Sequence, residues 1–287
     1  MPLVRATAAA GLVGPLPPTP DGAPIIVMVH GYRFSPTDPA HDPFTHILAP
    51  ARARPGKGAL PWPRHLGFGR GDPMEGLGVG FAWEARGSFW RARREAARAG
   101  EALAEVVEGL RAARPGRPVH VVAHSLGARV ALRAMRRLPE GALGRVVLLS
   151  PAEHRGAARL AMASPAGRRA EVISVRSAEN RAFDALLQLL VPWPDPVVGL
   201  GLGGLPNWLD LDPCDPRVRE RAAQLGHPIA ARRWRVCHHS SYARPGLMRL
   251  YRAFLREPAR LPLSALRVDP SPALAAAAPD PTMSLPA

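Results

Sequence analysis

A serine can attack a carbonyl when a base removes its proton and a third group orients that base. Chemistry of this kind centres on Ser125, in the stretch Val119-His120-Val121-Val122-Ala123-His124-Ser125-Leu126-Gly127. An apolar run precedes the serine. After it, apolar positions recur at Gly127, Ala131, Ala134 and Leu138, which is helical spacing. A strand that turns into a helix through one serine lifts the hydroxyl above the sheet edge. The turn also leaves the Leu126 amide at a helix N-terminus, where it can stabilise a developing oxyanion. Strand and helix approach closely at such a turn, so small residues are needed on both sides of the serine. Gly127 meets that need and Ala123 meets it less completely.

Ala123-His124-Ser125-Leu126-Gly127 resembles the G-x-S-x-G nucleophile elbow of the α/β-hydrolase superfamily, with alanine in place of the first glycine. Upstream, the continuous apolar run Ile25–Val29 ends in His30-Gly31-Tyr32. That segment resembles the superfamily's oxyanion loop, which implies the Tyr32 amide as a second oxyanion donor beside Leu126. His30 reads as a brace for this loop rather than a proton carrier. The resemblance spans about residues 24–257 and implies the chain order nucleophile, acid, histidine. It places the acid in the turn after the seventh strand. Glu179, four residues past Val175, is the first choice there, and Asp184, one helical turn deeper, is the alternative. Glu153, after the preceding strand, is a third. The histidine belongs in the loop after the last strand, which offers His238 and, as the alternative, His239. Adjacent side chains of an extended segment point in opposite directions, so only one of the two can face the serine.

The resemblance therefore implies a serine hydrolase that cleaves an ester or related acyl bond and needs no metal or organic cofactor. The rival reading is a non-catalytic scaffold of the same fold that binds a ligand or partner.

These residues must be positioned by a doubly wound, mostly parallel α/β sheet, because apolar strands alternate with helices. Strands are expected at 25–29, 79–83, 119–123, 146–149, 172–175 and, last, at 234–237. Ser88 is a cap for the helix that follows it, and 246–256 forms a final amphipathic helix. Residues 1–23 are expected to lie extended on the surface. The Pro- and Gly-rich stretch 35–78 is expected to border the site mouth; His41, His46 and His65 within it lack metal-ligand spacing. Residues 183–212 interrupt the rhythm and suggest a lid carrying Trp193, Val197, Val198, Leu200, Leu202 and Trp208, which implies an apolar acyl substrate. Gly199–Gly204 matches G-x-G-x-x-G, but no strand precedes it and Pro206 follows, so no nucleotide site is expected. The Pro/Ala-rich residues 258–287 are expected to be a disordered tail.

The 287 residues carry a formal charge of +15. The basic residues are scattered arginines, with Lys57 the only lysine, and they cluster on no stripe that would read as a nucleic-acid surface. Cys214 and Cys237 form neither C-x-x-C nor a zinc pattern. No stretch approaches the ~20 apolar residues of a membrane span. A cytoplasmic protein with a small-molecule acyl substrate, without nucleic acid or integral membrane association, is the resulting expectation.

Overall fold

The computed structural model describes residues 3–50, 60–192 and 195–268. Eight strands among them form one sheet: β1 (Leu3–Thr7), β2 (Gly11–Val13), β3 (Ile25–Val29), β4 (Leu77–Ala82), β5 (Val119–His124), β6 (Leu143–Leu149), β7 (Glu171–Val175) and β8 (Trp208–Leu211). Their order is β2-β1-β4-β3-β5-β6-β7-β8. Every neighbouring pair is parallel except β1 with β2.

Nine α-helices are described: α1 (Trp62–His65), α2 (Phe89–Ala113), α3 (Leu126–Met135), α4 (Arg155–Met162), α5 (Pro165–Arg169), α6 (Arg181–Leu190), α7 (Pro216–Gln224), α8 (Ser240–Ala243) and α9 (Leu247–Arg256). The central strands are mostly apolar, β3 entirely so, because both faces of the sheet are covered. Alternate residues of β3 show how. Ile25, Val27 and Val29 pack with Leu103 and Val107 of α2 and Val130 of α3. Ile26 and Met28 join the opposite core, with Trp62, Phe68, Leu250 and Phe254. Ser88 caps α2, its Oγ accepting from the Arg91 amide at 3.2 Å.

The chain leaves β3 toward β4 and then crosses back to β5 on the other side of β3. The loops after β3 and β5 therefore diverge at a topological switch point, where open α/β sheets form their clefts. Gly31–Tyr32 and Ser125 sit at this point.

Four sequence expectations are corrected. Residues 1–23 do not simply lie on the surface: Leu3–Thr7 pairs in parallel with β4, and Gly11–Val13 closes the edge. The last strand is Trp208–Leu211, not 234–237. Residues 234–237 join no ladder: the Cys237 amide bonds to the Glu179 carbonyl, and the Trp234 and Arg235 carbonyls accept from the Arg232 side chain. The lid expected at 183–212 dissolves in part. Trp208 enters the sheet, and Val198 and Leu202 are buried in the core that includes Ala158 and Val172. Trp193 lies outside the described residues. Finally, the tail does not begin at 258: Leu261, Leu263 and Leu266 are buried against the α9 side of the sheet, with Leu263–Leu266 a 3-10 turn. Residues beyond 268 lie outside the described part.

Candidate active site

Ser125 sits between β5 and α3 with φ 55° and ψ −121°, a region that L-residues avoid. Conformations of this kind cost about 1–3 kcal/mol and persist only where the surroundings hold them. Here the Ser125 amide donates to the Leu149 carbonyl at 2.9 Å, and the Ser125 carbonyl accepts from Ala128 and Ala152 at 3.0 and 3.1 Å. Two glycines permit the close approach. A Cβ at Gly127 would lie 2.5 Å from the His30 carbonyl oxygen, and one at Gly31 would lie 2.9 Å from the Ser125 Cβ. The Gly31–Tyr32 backbone thus passes directly beside the serine. Leu126 is the first residue of α3, so its amide has no partner within the helix. Among the described residues, neither it nor the Tyr32 amide donates to another backbone group.

His30 is buried and braces this loop. Its Nδ1 donates to the Gly31 carbonyl at 2.8 Å, its Nε2 accepts from the Trp83 amide at 3.0 Å, and its ring stacks on Trp83. Burial lowers its pKa to about 4, which matches an Nε2 that must stay an acceptor.

His238 Nε2 lies 2.8 Å from Ser125 Oγ. Its Nδ1 lies 2.7 Å from Oδ1 of Asn180, the residue before α6. The Asn180 amide nitrogen in turn donates to Asp184 Oδ1 at 2.9 Å, one helical turn on. That bond turns the Asn180 oxygen toward His238 and requires the histidine to carry its proton on Nδ1. Nε2 is then the acceptor that a serine proton needs. His239 is exposed and heads α8. The structure therefore brings Ser125 and His238 together and leaves His239 outside the contact.

The carboxylates lie elsewhere than on the imidazole. Glu179 is fully buried, with one oxygen 2.5 Å from the Arg244 guanidinium and the other accepting from the Trp234 amide at 3.1 Å. Its backbone carbonyl accepts from Cys237 at 2.9 Å. Glu179 thus clamps the segment that delivers His238 instead of touching its ring. Asp184 reaches His238 only through Asn180. Glu153 is held by Arg93 at 3.0 Å and by Arg129, which tie α2 and α3 together. Burial opposes its charge, but the His154 contact and the two arginines outweigh burial and hold its pKa at about 2. Among the described residues no group of three His, Cys, Asp or Glu side chains is placed to hold a metal ion.

Residues 17–186, more than half of the chain, match the family model described as an alpha/beta hydrolase of unknown function, DUF900. The chain belongs to this family. No curated protein matches it. The DUF900 match takes in Gly31–Tyr32, the turn at Ser125, Asn180 and Asp184, and it stops before His238. The sequence carried a signal for Asn180 that a search for carboxylates passes over: an amide with an acid four residues later at a helix start, where the two side chains meet.

Burial, with His239 nearby, lowers the His238 pKa to about 4, so the ring is neutral at pH 7. Burial raises Asp184 to about 6, with Asn180, Arg176 and Arg181 opposing. The carboxylate is crowded by Gly199, where a Cβ would collide with it, and its Oδ2 has no hydrogen-bond partner among the described residues. His124 donates from Nε2 to the His238 carbonyl at 3.3 Å, and Ser150 Oγ donates to the same oxygen at 3.3 Å. The Phe183 ring lies 4.6 Å from the His238 ring.

Proposed function

We propose that this chain is a serine hydrolase that cleaves an ester or related acyl bond through a covalent acyl-enzyme. Ser125 Oγ attacks the carbonyl carbon while His238 Nε2 takes its proton. The tetrahedral oxygen gains negative charge and lies against the Tyr32 and Leu126 amides. The intermediate collapses, and His238 returns the proton to the departing alcohol. A water, deprotonated by the same nitrogen, then releases the acid and restores the serine. Asn180 holds the imidazole with Nδ1 protonated. As a neutral amide it orients the ring but supplies no counter-charge to the imidazolium, so it replaces the orienting carboxylate only in part. Asp184 anchors Asn180 in turn.

The observation that carries this reading is the 2.8 Å approach of His238 Nε2 to a serine held at a strained elbow. With Val198, Leu202 and Trp208 buried in the core, these three residues do not argue for an apolar acyl group. The substrate's character must come from other surfaces around the serine. Hydrolysis of p-nitrophenyl acetate by the wild type and by Ser125→Ala and His238→Ala tests the proposal. Both variants lose activity by several orders of magnitude with little change in melting temperature. Retention of activity in either one leaves the non-catalytic scaffold as the better reading.

A further inference from the structure

Helix α6 breaks the usual rule for a helix on a globular protein. Such a helix turns its apolar stripe inward. Helix α6 buries only Asp184 and Leu187 and exposes Phe183, Leu186 and Leu189, the last 77% exposed. Positions 183, 186 and 189 recur every three residues and share one side of the helix. Phe183, at one end of this stripe, lies against the ring of His238. The stripe therefore begins at the serine–histidine pair.

A second exposed apolar residue stands beside its start. Val236 is 58% exposed, and the amide of the next residue, Cys237, bonds to the Glu179 carbonyl just before α6. In the two segments that carry this apolar surface the exposed charge has one sign. Arg181, Arg232, Arg233 and Arg235 are all exposed. Neither residues 181–192 nor residues 230–239 contain an acidic residue other than the buried Asp184. Arg232 folds back onto the carbonyls of Trp234 and Arg235 at 2.9 and 2.7 Å, which holds this basic turn in shape. An exposed apolar stripe on a helix, rimmed by arginines, has the chemistry that seats in the headgroup region of an anionic bilayer.

We infer that this face, Phe183, Leu186, Leu189 and Val236 with the four arginines, docks peripherally on an anionic phospholipid surface and turns the Ser125–His238 site toward it. A lipid surface fits better than a second copy of the chain, because two copies would bring their arginine rims together with no acidic residue in either segment to offset them. The docking goes beyond the hydrolase reading and does not depend on it.

Co-sedimentation of the full chain with phospholipid vesicles tests the inference. One set is phosphatidylcholine alone; the other contains about one-third phosphatidylglycerol. The wild type and Ser125→Ala are expected to bind the anionic vesicles alike, at least about tenfold more tightly than the neutral ones, and to release as salt is raised. Because Ser125→Ala is included, loss of docking and loss of hydrolysis are read separately. The double substitution Leu186→Gln/Leu189→Gln, at exposed positions, is expected to weaken vesicle binding about tenfold or more while keeping hydrolysis of a soluble short-chain ester. The pair Arg181→Glu/Arg235→Glu is expected to abolish the preference for anionic vesicles. Circular dichroism melts confirm that both pairs fold. The inference is overturned by equal binding to both vesicle types, or by leucine variants that bind as the wild type does. It is equally overturned by a wild type that is dimeric in solution and becomes monomeric on the leucine substitutions, since a second copy would then cover the face.

Discussion

Asn180→Ala separates the relay proposed here from a serine–histidine pair that needs no third member. The substitution removes the acceptor 2.7 Å from His238 Nδ1 and keeps the backbone bonds of the turn, in which the Asn180 amide donates to Ser177 and the Asn180 carbonyl accepts from Phe183 and Asp184. A hydrogen bond to a group that becomes charged contributes about 1.5–3 kcal/mol, which corresponds to a loss of about 10- to 150-fold in kcat. That is well short of the ~10⁴-fold associated with losing a charged orienting acid, because Asn180 contributes orientation without charge. The companion Asn180→Asp puts a carboxylate on the imidazole. It raises the His238 pKa from about 4 and moves the acid limb of kcat/KM upward. Above that limb, kcat equals or exceeds the wild-type value. The assay is the pH profile of p-nitrophenyl acetate hydrolysis for the three proteins. The relay is refuted if Asn180→Ala stays within about twofold of wild type, or if Asn180→Asp is as slow as Asn180→Ala at every pH.

Glu179→Gln leaves Arg244 as a buried cation without its partner, so a stability loss of about 3–5 kcal/mol is expected, read by urea unfolding. Glu179 is held below the usual carboxylate range. Burial pushes the other way but is outweighed by Arg244 and the Trp234 amide, so the stabilisation is present above the ordinary glutamate pKa and lost as pH falls through the lowered one. Asp184 has the opposite sign. Its folded pKa of about 6 exceeds the unfolded value, so its burial costs most above pH 6. Asp184→Asn should therefore raise the melting temperature at pH 8, with the gain vanishing below about pH 4. Gly31→Ala forces a Cβ against Ser125 and displaces the Tyr32 amide; a kcat loss of about 10²–10³ with near-normal KM is expected from steady-state kinetics.

The elements that build the site were the easiest to read. The run Ile25–Val29 is buried on both faces and leaves continuous apolar sequence, and the run before Ser125 is apolar but for His120 and His124. The small residues at Gly31 and Gly127 mark contacts that only a hydrogen fits. The outer strands were not legible for the opposite reason. Leu3–Thr7 pairs on an outer strand, carries the exposed Arg5, and is embedded in Ala, Gly and Pro. Trp208–Leu211 follows a glycine-rich run that looks like a loop, whereas 234–237 looks like a strand but makes its backbone bonds to Glu179 and the Arg232 side chain. The partner of the histidine illustrates a finer limit. Glu179 and Asn180 are neighbours, yet one side chain enters the buried pair with Arg244 and the other meets His238. Which residue of a tight turn faces which way is set by tertiary partners, and Arg244 lies 65 residues further along the chain.

The central claim is that Ser125 is a nucleophile activated by His238. Its most direct test is labelling with a fluorophosphonate, followed by mass spectrometry of the peptide that carries the adduct. One adduct is expected, on Ser125, that forms rapidly in the wild type, slowly in His238→Ala and not in Ser125→Ala. No adduct in the folded wild type, or an adduct on another residue that persists in Ser125→Ala, would contradict it.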